Sequence, residues 1–162
     1  MHLLLIVQLL VLIAVANAMP VFAKKILGDR FAWPLDGGAV CADGRPLLGS
    51  SKTLRGVVVS LLVTPIAALL MGMSWTIGVL VAVAAMAGDL LSSFIKRRLG
   101  LPPSSMAIGL DQIPESLVPL IAARWLLPVS LLDMAAGTAI FIAGQLALSR
   151  LLFKLRLRGE PY

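Results

Sequence analysis

The sequence predicts an all-α membrane protein, a bundle of about five transmembrane helices with the N-terminus outside, the C-terminus inside and a long cytoplasmic loop after the first helix. Three observations carry this expectation. Hydrophobic residues make up 59% of the chain and charged residues 14%, with a mean hydropathy of +0.98; a soluble domain is nearer half apolar and a quarter charged. Residues 56–88 contain no charged side chain, a length that holds most of two spans. The apolar runs are continuous, whereas barrel strands alternate apolar and polar residues. All 162 residues read as one integral-membrane domain without an internal repeat.

The first helix is expected over 3–23, an uncharged run. Ala16-Asn17-Ala18 resembles a signal-peptide cleavage pattern. No Lys or Arg precedes the run, however, and Lys24 and Lys25 follow it, which favours a retained helix entering from outside. Residues 24–55 form a polar loop with six basic and three acidic side chains and turn chemistry at Trp33-Pro34, Asp36-Gly37-Gly38, Asp43-Gly44 and Gly49-Ser50-Ser51. Helices are expected over 56–72 and 75–98, broken near Gly72-Met73-Ser74 with Trp75 as an interface anchor. After a second cytoplasmic loop, 99–115, a fourth helix is expected over 116–132, carrying Arg124 beside Trp125, and a fifth over 134–153. A basic tail follows with Arg150, Lys154, Arg156 and Arg158. Both long loops and the tail then fall on one side, as the positive-inside rule requires. The localisation this implies is the plasma (inner) membrane, multi-pass, with the functional face toward the cytoplasm. Gly and Ala on several helices would permit a homodimer.

The inventory of reactive groups is short. Cys41 is the one cysteine and His2 the one histidine, which removes an internal disulfide, a zinc site and a Ser–His–Asp triad. Any chemistry must use carboxylates, Lys/Arg, Ser/Thr and backbone groups. Asp89 lies inside the third helix, about 20 Å along its axis from Trp75, and an acid at membrane depth is costly enough to suggest function. Ser93, Lys96 and Arg97 follow at four, seven and eight residues, on the same helical face. The carboxylate offers a hard ligand for Mg²⁺ and the cations neutralise phosphoryl oxygens. Asp111 beyond the loop supplies a second acid, as phosphoryl-transfer sites usually need. Gly49-Ser50-Ser51-Lys52-Thr53-Leu54-Arg55-Gly56 reads as a phosphate cradle at a helix start, with Asp43-Gly44-Arg45 ahead of it, although it is not a Walker A sequence. Each piece has a plainer reading: Asp89 paired with an arginine of a neighbouring helix, Lys96-Arg97-Arg98 as a topology signal, and the loop as a flexible linker.

Taken together, GDLLSSFIKRR followed by LDQ resembles the signature of membrane CTP-dependent cytidylyltransferases, the CDP-diacylglycerol synthase superfamily. The segment from Asp43 to Gly56 is similar to the DG-R-x-L-x-G-x-x-KT-x-RG loop of CDP-archaeol synthases, and Asn17 with Pro20 matches the end of that family's first helix. The resemblance covers residues 17–115 in motif-sized pieces. It implies transfer of CMP from CTP to a lipid phosphate, such as a prenyl-glycerol phosphate, giving a CDP-lipid and pyrophosphate with Mg²⁺. Carried over, Asp89, Asp111 and Lys96 would be catalytic. Lys52, Thr53, Arg55, Ser93, Arg97, Asp43 and Gly44 would bind substrate, and Asp89, Asp111 and Glu115 would hold metal. The family's second acid is commonly followed three residues later by another Asp; here that position is Pro114, and Glu115 is its neighbour, about 100° round a helix. The competing expectation is a non-catalytic transporter or anionic-lipid-binding protein using the same basic rim. An enzyme acting on CDP-alcohols is disfavoured, because its spaced DG…AR…G…D…D pattern is absent.

Overall fold

A computed structural model describes residues 2–103, 105 and 107–154. Among them are five α-helices: α1 (Leu3–Leu27), α2 (Leu54–Leu70), α3 (Trp75–Arg98), α4 (Gln112–Ala123) and α5 (Leu131–Lys154). Arg156 and Arg158 of the expected basic tail, and Ser104 and Met106 of the second loop, lie outside the described residues. α1, α3 and the Leu131–Arg150 part of α5 are long and apolar enough to cross a membrane. Leu4, Val58, Leu62 and Leu70 are exposed on the outer faces of their helices, where an aqueous surround would be unfavourable. The architecture is that of a helical membrane protein.

Local chemistry explains where the helices begin and end. α1 runs past the expected residue 23 and takes Lys24 and Lys25 into its last turn, where cations oppose the negative end of the helix dipole. Thr53 caps α2, its hydroxyl accepting the Gly56 N–H at 3.4 Å. Ser130 caps α5, accepting the Asp133 N–H at 3.1 Å while the Asp133 carboxylate accepts from the Ser130 N–H at 3.0 Å. α5 therefore starts at Leu131, ahead of the expected residue 134. Asp133 is 1% exposed and also accepts the His2 N–H at 3.1 Å, which ties the start of α1 to the start of α5.

The fourth helix is the main correction. The span expected over 116–132 is a 12-residue helix from Gln112 to Ala123, about 18 Å long and too short to cross about 30 Å of hydrocarbon. Its start was obscured by Pro114, which falls in the first turn, where its missing N–H is not needed. Its end comes early because turns follow through residues 124–126 and Pro128 disfavours helical backbone at Leu127. Arg124 is therefore the exposed C-cap of α4, not a residue within a span. Glu115 moves from the loop onto α4.

The apolar core sits at one end of the bundle. Leu9, Leu12 and Ile13 of α1 pack with Ile77 and Val81 of α3, Leu120 and Ala123 of α4, and Phe141 of α5. Small residues bring helices close. A Cβ on Gly78 would come within 2.5 Å of Pro65 Cα in α2, and one on Gly88 within 2.2 Å of the Pro114 carbonyl oxygen. These glycines serve contacts within the chain. The second contact holds the first turn of α4 beside Asp89, at the other end of the bundle from the core.

Residues 28–53 are folded, which corrects the flexible-linker reading. Asp36 accepts the Leu48 N–H at 2.9 Å and the Gly38 N–H at 3.0 Å, and the Leu47 N–H donates to the Ala39 carbonyl at 2.8 Å. The two ends of the loop are pinned by Leu35 N–H to Lys52 O at 2.8 Å and Leu54 N–H to Trp33 O at 3.0 Å.

Candidate functional site

Opposite the apolar core, the last turns of α1 and α3, the starts of α2 and α4 and the later part of α5 surround one cavity of about 740 Å³. The positive N-terminal ends of α2 and α4 both lie at this end of the bundle. Five cationic side chains line the cavity (Lys24, Lys52, Arg55, Lys96, Arg97) with four acids (Asp29, Asp89, Asp111, Glu115). An anion alone would face four carboxylates, and a cation alone five positive charges. The mixed wall suits a divalent cation and a polyphosphate held together. Apolar side chains of α1 and α5, including Val21, Phe141 and Leu148, complete the lining.

Two lysine–carboxylate pairs dominate the polar half. Lys52 Nζ lies 2.6 Å from each Asp89 oxygen, so the cation of the loop meets the acid of α3. Lys96 Nζ lies 2.7 Å from Asp111 Oδ1 and donates to the Ser105 carbonyl at 2.7 Å. The other Asp111 oxygen accepts the Ala107 N–H at 2.8 Å. Charges this far buried are tolerated because they are paired and hydrogen-bonded. Glu115 accepts from Gln145 Nε2 of α5 at 3.2 Å. Among the described residues, no three acid, histidine or cysteine side chains converge on one point as a ready-made metal cage.

The arginines are held by backbone carbonyls and retain spare donors. Arg97 donates to Pro102 O at 2.8 Å, yet its Nε and Nη1 are buried without partners. Arg55 donates to Arg30 O, and its Nε is likewise unpartnered. Buried unmatched donors are costly and here belong to two residues that line the cavity. Ser93 and Thr53 also line it, Thr53 with its hydroxyl engaged in the α2 cap.

Most of the sequence-predicted residues meet here: Lys52, Thr53, Arg55, Asp89, Ser93, Lys96, Arg97, Asp111 and Glu115. Asp43 and Gly44 do not line this cavity. Asp43 pairs with Arg98 Nη1 at 2.6 Å, 43% exposed, and Gly44 turns the chain beside it. The Asp43 carboxyl is held below its ordinary value chiefly by the Arg45 N–H and further by Arg98. The plainer reading of Asp89, a pair with an arginine of a neighbouring helix, does not hold: its partner is Lys52 of the loop. Sequence reasoning missed Asn17, Gln112 and Gln145 as cavity residues. Asn17 left a signal in the sequence, standing with Pro20 in the motif at the end of the expected first helix; among the described residues its side-chain N and O are both buried without partners.

Comparison with known proteins identifies the family of the chain. The family model for CDP-archaeol synthase (CarS-like) matches residues 1–162. A CDP-archaeol synthase of Pyrobaculum calidifontis is 32% identical over 97% of this chain and 98% of its own. One from Thermococcus onnurineus is 37% identical over 78% of this chain and 75% of its own. The match to the Pyrococcus furiosus protein, 39% identical, spans 60% of either chain, so it covers about three fifths of that relative's length. A solved structure of an intramembrane enzyme for archaeal membrane lipids biosynthesis superposes with a TM-score of 0.76 at 29% identity, covering 88% of this chain and 90% of that one. The match over the whole chain, together with these relatives, means that the chain belongs to the CDP-archaeol synthase family.

Proposed function

We propose that the protein is a CTP-dependent cytidylyltransferase that converts a lipid phosphate of the prenyl-glycerol type into a CDP-activated lipid and pyrophosphate. The observation that carries this reading is the meeting of Lys52–Asp89 and Lys96–Asp111 in one cavity that is also walled by apolar side chains of α1 and α5. The reaction's two partners, a polyphosphate nucleotide and a lipid, need those two kinds of wall together. Membership of the CDP-archaeol synthase family supports the same assignment.

An oxygen of the lipid phosphate attacks the α-phosphorus of CTP. The new P–O bond forms as the bond from the α-phosphorus to the oxygen bridging to the β-phosphorus breaks, and pyrophosphate leaves. A phosphate monoester is already ionised near neutral pH, so the attacking oxygen needs no general base, in keeping with a cavity lined by no histidine. The obstacle is repulsion between two anions. Lys52, Arg55, Lys96 and Arg97 lower it by neutralising phosphoryl oxygens and fixing the line of attack. Val21, Phe141 and Leu148 hold the lipid chain away from water. Mg²⁺ takes one or two carboxylates and completes its shell with phosphate oxygens and water; no three acids form a closed cage among the described residues, so one or two of Asp89, Asp111 and Glu115 would hold it. Bound there, the ion supplies further charge neutralisation at the phosphates. The reading places the site on the cytoplasmic face of the plasma membrane, where CTP is available.

The test is CTP- and Mg²⁺-dependent pyrophosphate release by the protein in lipid nanodiscs with prenyl-glycerol phosphate. Asp89→Asn and Asp111→Asn are each expected to lower turnover by about a hundredfold or more, the scale of losing a main electrostatic group. Wild-type turnover in both variants would refute the assignment of these acids.

A further inference from the structure

Asp43 and Gly44 belong to the loop motif, yet they stand at the outer end of α3 instead of lining the cavity. There the lobe of residues 36–48 and the end of α3 exchange arginines. Arg98 donates through Nη1 to Asp43 Oδ1 at 2.6 Å and through Nη2 to the carbonyl oxygens of Arg45, at 3.2 Å, and Pro46. In return, the Arg45 guanidinium donates to the Arg98 carbonyl, one of the orphan acceptors at a helix C-terminus. The Arg98 guanidinium carbon also lies 5.4 Å from the centre of the Phe94 ring, which restrains the fork from behind. Gly44, at φ +74°, makes the tight turn that presents Asp43, and its N–H donates to Cys41 O at 2.9 Å.

The lobe passes this anchorage on to the cavity. Cys41 N–H to Arg45 O at 2.9 Å and Leu47 N–H to Ala39 O at 2.8 Å hold it together internally. Gly49 follows at φ +90°, packed against the Arg97 side chain, and Lys52 comes three residues later. The loop is thus fastened to α3 twice, at Arg98 and at Asp89, about 14 Å apart along the axis.

We propose that Asp43 and Arg98 are positioning residues. They clamp the 36–48 lobe onto the end of α3 and so hold Lys52 and Gly49 where the cavity grips the nucleotide's phosphates. This deepens the proposed function, since it rests on the cavity taking CTP. Asp43 acts through Arg98 without touching substrate. A charge-assisted, forked contact of this kind leaves a distinctive signature in a double-mutant cycle.

The experiment compares wild type, Asp43→Ala, Arg98→Ala and the double variant in nanodiscs. Three readouts are CTP affinity by calorimetry with Mg²⁺, turnover at saturating CTP, and hydrogen exchange at the Cys41 and Leu47 amides. Each single variant is expected to weaken CTP binding about tenfold and to change saturated turnover by less than about threefold, the double variant being no worse than either single. Amide protection in the lobe falls in all three, and Asp43→Glu restores most of both affinity and protection. A double variant about a hundredfold weaker, as the product of independent effects would give, overturns the proposal. So does weakened CTP binding with the lobe fully protected, because Asp43 would then be a direct contact. Wild-type protein that binds no CTP would refute the function proposed above and leave the clamp itself to be judged by the exchange at the two amides.

Discussion

Asp89 shows how much one side chain can reveal before its partner is known. Its depth in an apolar helix and its face shared with Ser93, Lys96 and Arg97 can be read from spacing alone. Lys52 cannot be read as its partner. It lies 37 residues away, and its position depends on a loop held by hydrogen bonds at Asp36, Leu47 and Leu35. Asp36 is itself a small test of that loop. Burial raises its carboxyl, but the amides of Leu48, Gly38 and Gly49 outweigh burial and hold it below the ordinary 3.8. A depressed carboxyl contributes stability that is present above its unfolded value and lost as pH falls through the folded one. Protection of the Leu48 amide should therefore stay constant from about pH 8 to 5 and decline only below about pH 4. Native-state hydrogen exchange measures this, and a loss of protection between pH 7 and 5 would point to a different anchor.

At the scale of helices, α3 was legible over its whole length, 75–98, because an uncharged run leads into a basic end that suits its C-terminus. α4 was not. Proline usually marks a boundary, and Pro114 and Pro128 bracketed a segment whose helix contains the first and excludes the second. The error had a functional consequence, since it left Glu115 in a loop when it belongs to the first turn of α4. That turn is seated by Gly88, where an added Cβ would meet the Pro114 carbonyl at 2.2 Å. Gly88→Ala is expected to push α4 off α3, at a cost of about 1–3 kcal/mol for overpacking, and to displace Glu115 and Asp111 from the cavity. Thermal unfolding in nanodiscs, read beside CTP affinity, should show both falling together. Unchanged affinity in a destabilised protein would show that α4 can retreat without disturbing the site.

Across the whole molecule, chemistry and packing are separated along the helix axes. The apolar cluster of Leu9, Leu12, Ile13, Val81 and Leu120 consolidates one end, and the charged cavity occupies the other. Hydropathy alone could announce a bundle, but not this division, because α1, α3 and α5 each carry both parts along one helix. The acids tolerate burial because Lys52 and Lys96 pair with them, while the apolar end packs the helices together. The candidate site residues were legible as a set, since all but Asp43 and Gly44 line one cavity. Those two were misplaced because adjacency in a motif does not imply adjacency in space. A turn at Gly44 directs Asp43 to Arg98, away from the cavity.

The proposed reaction transfers CMP, and not phosphate, from CTP to a lipid. The direct measurement incubates the protein with prenyl-glycerol phosphate, Mg²⁺ and CTP radiolabelled at either the α- or the γ-phosphorus, then counts label extracted into chloroform. With wild-type protein α-label is expected to enter the lipid phase, to be lost with Asp89→Asn, and γ-label to stay in the water. Lipid-soluble γ-label, or no lipid-soluble label from either nucleotide, would contradict it.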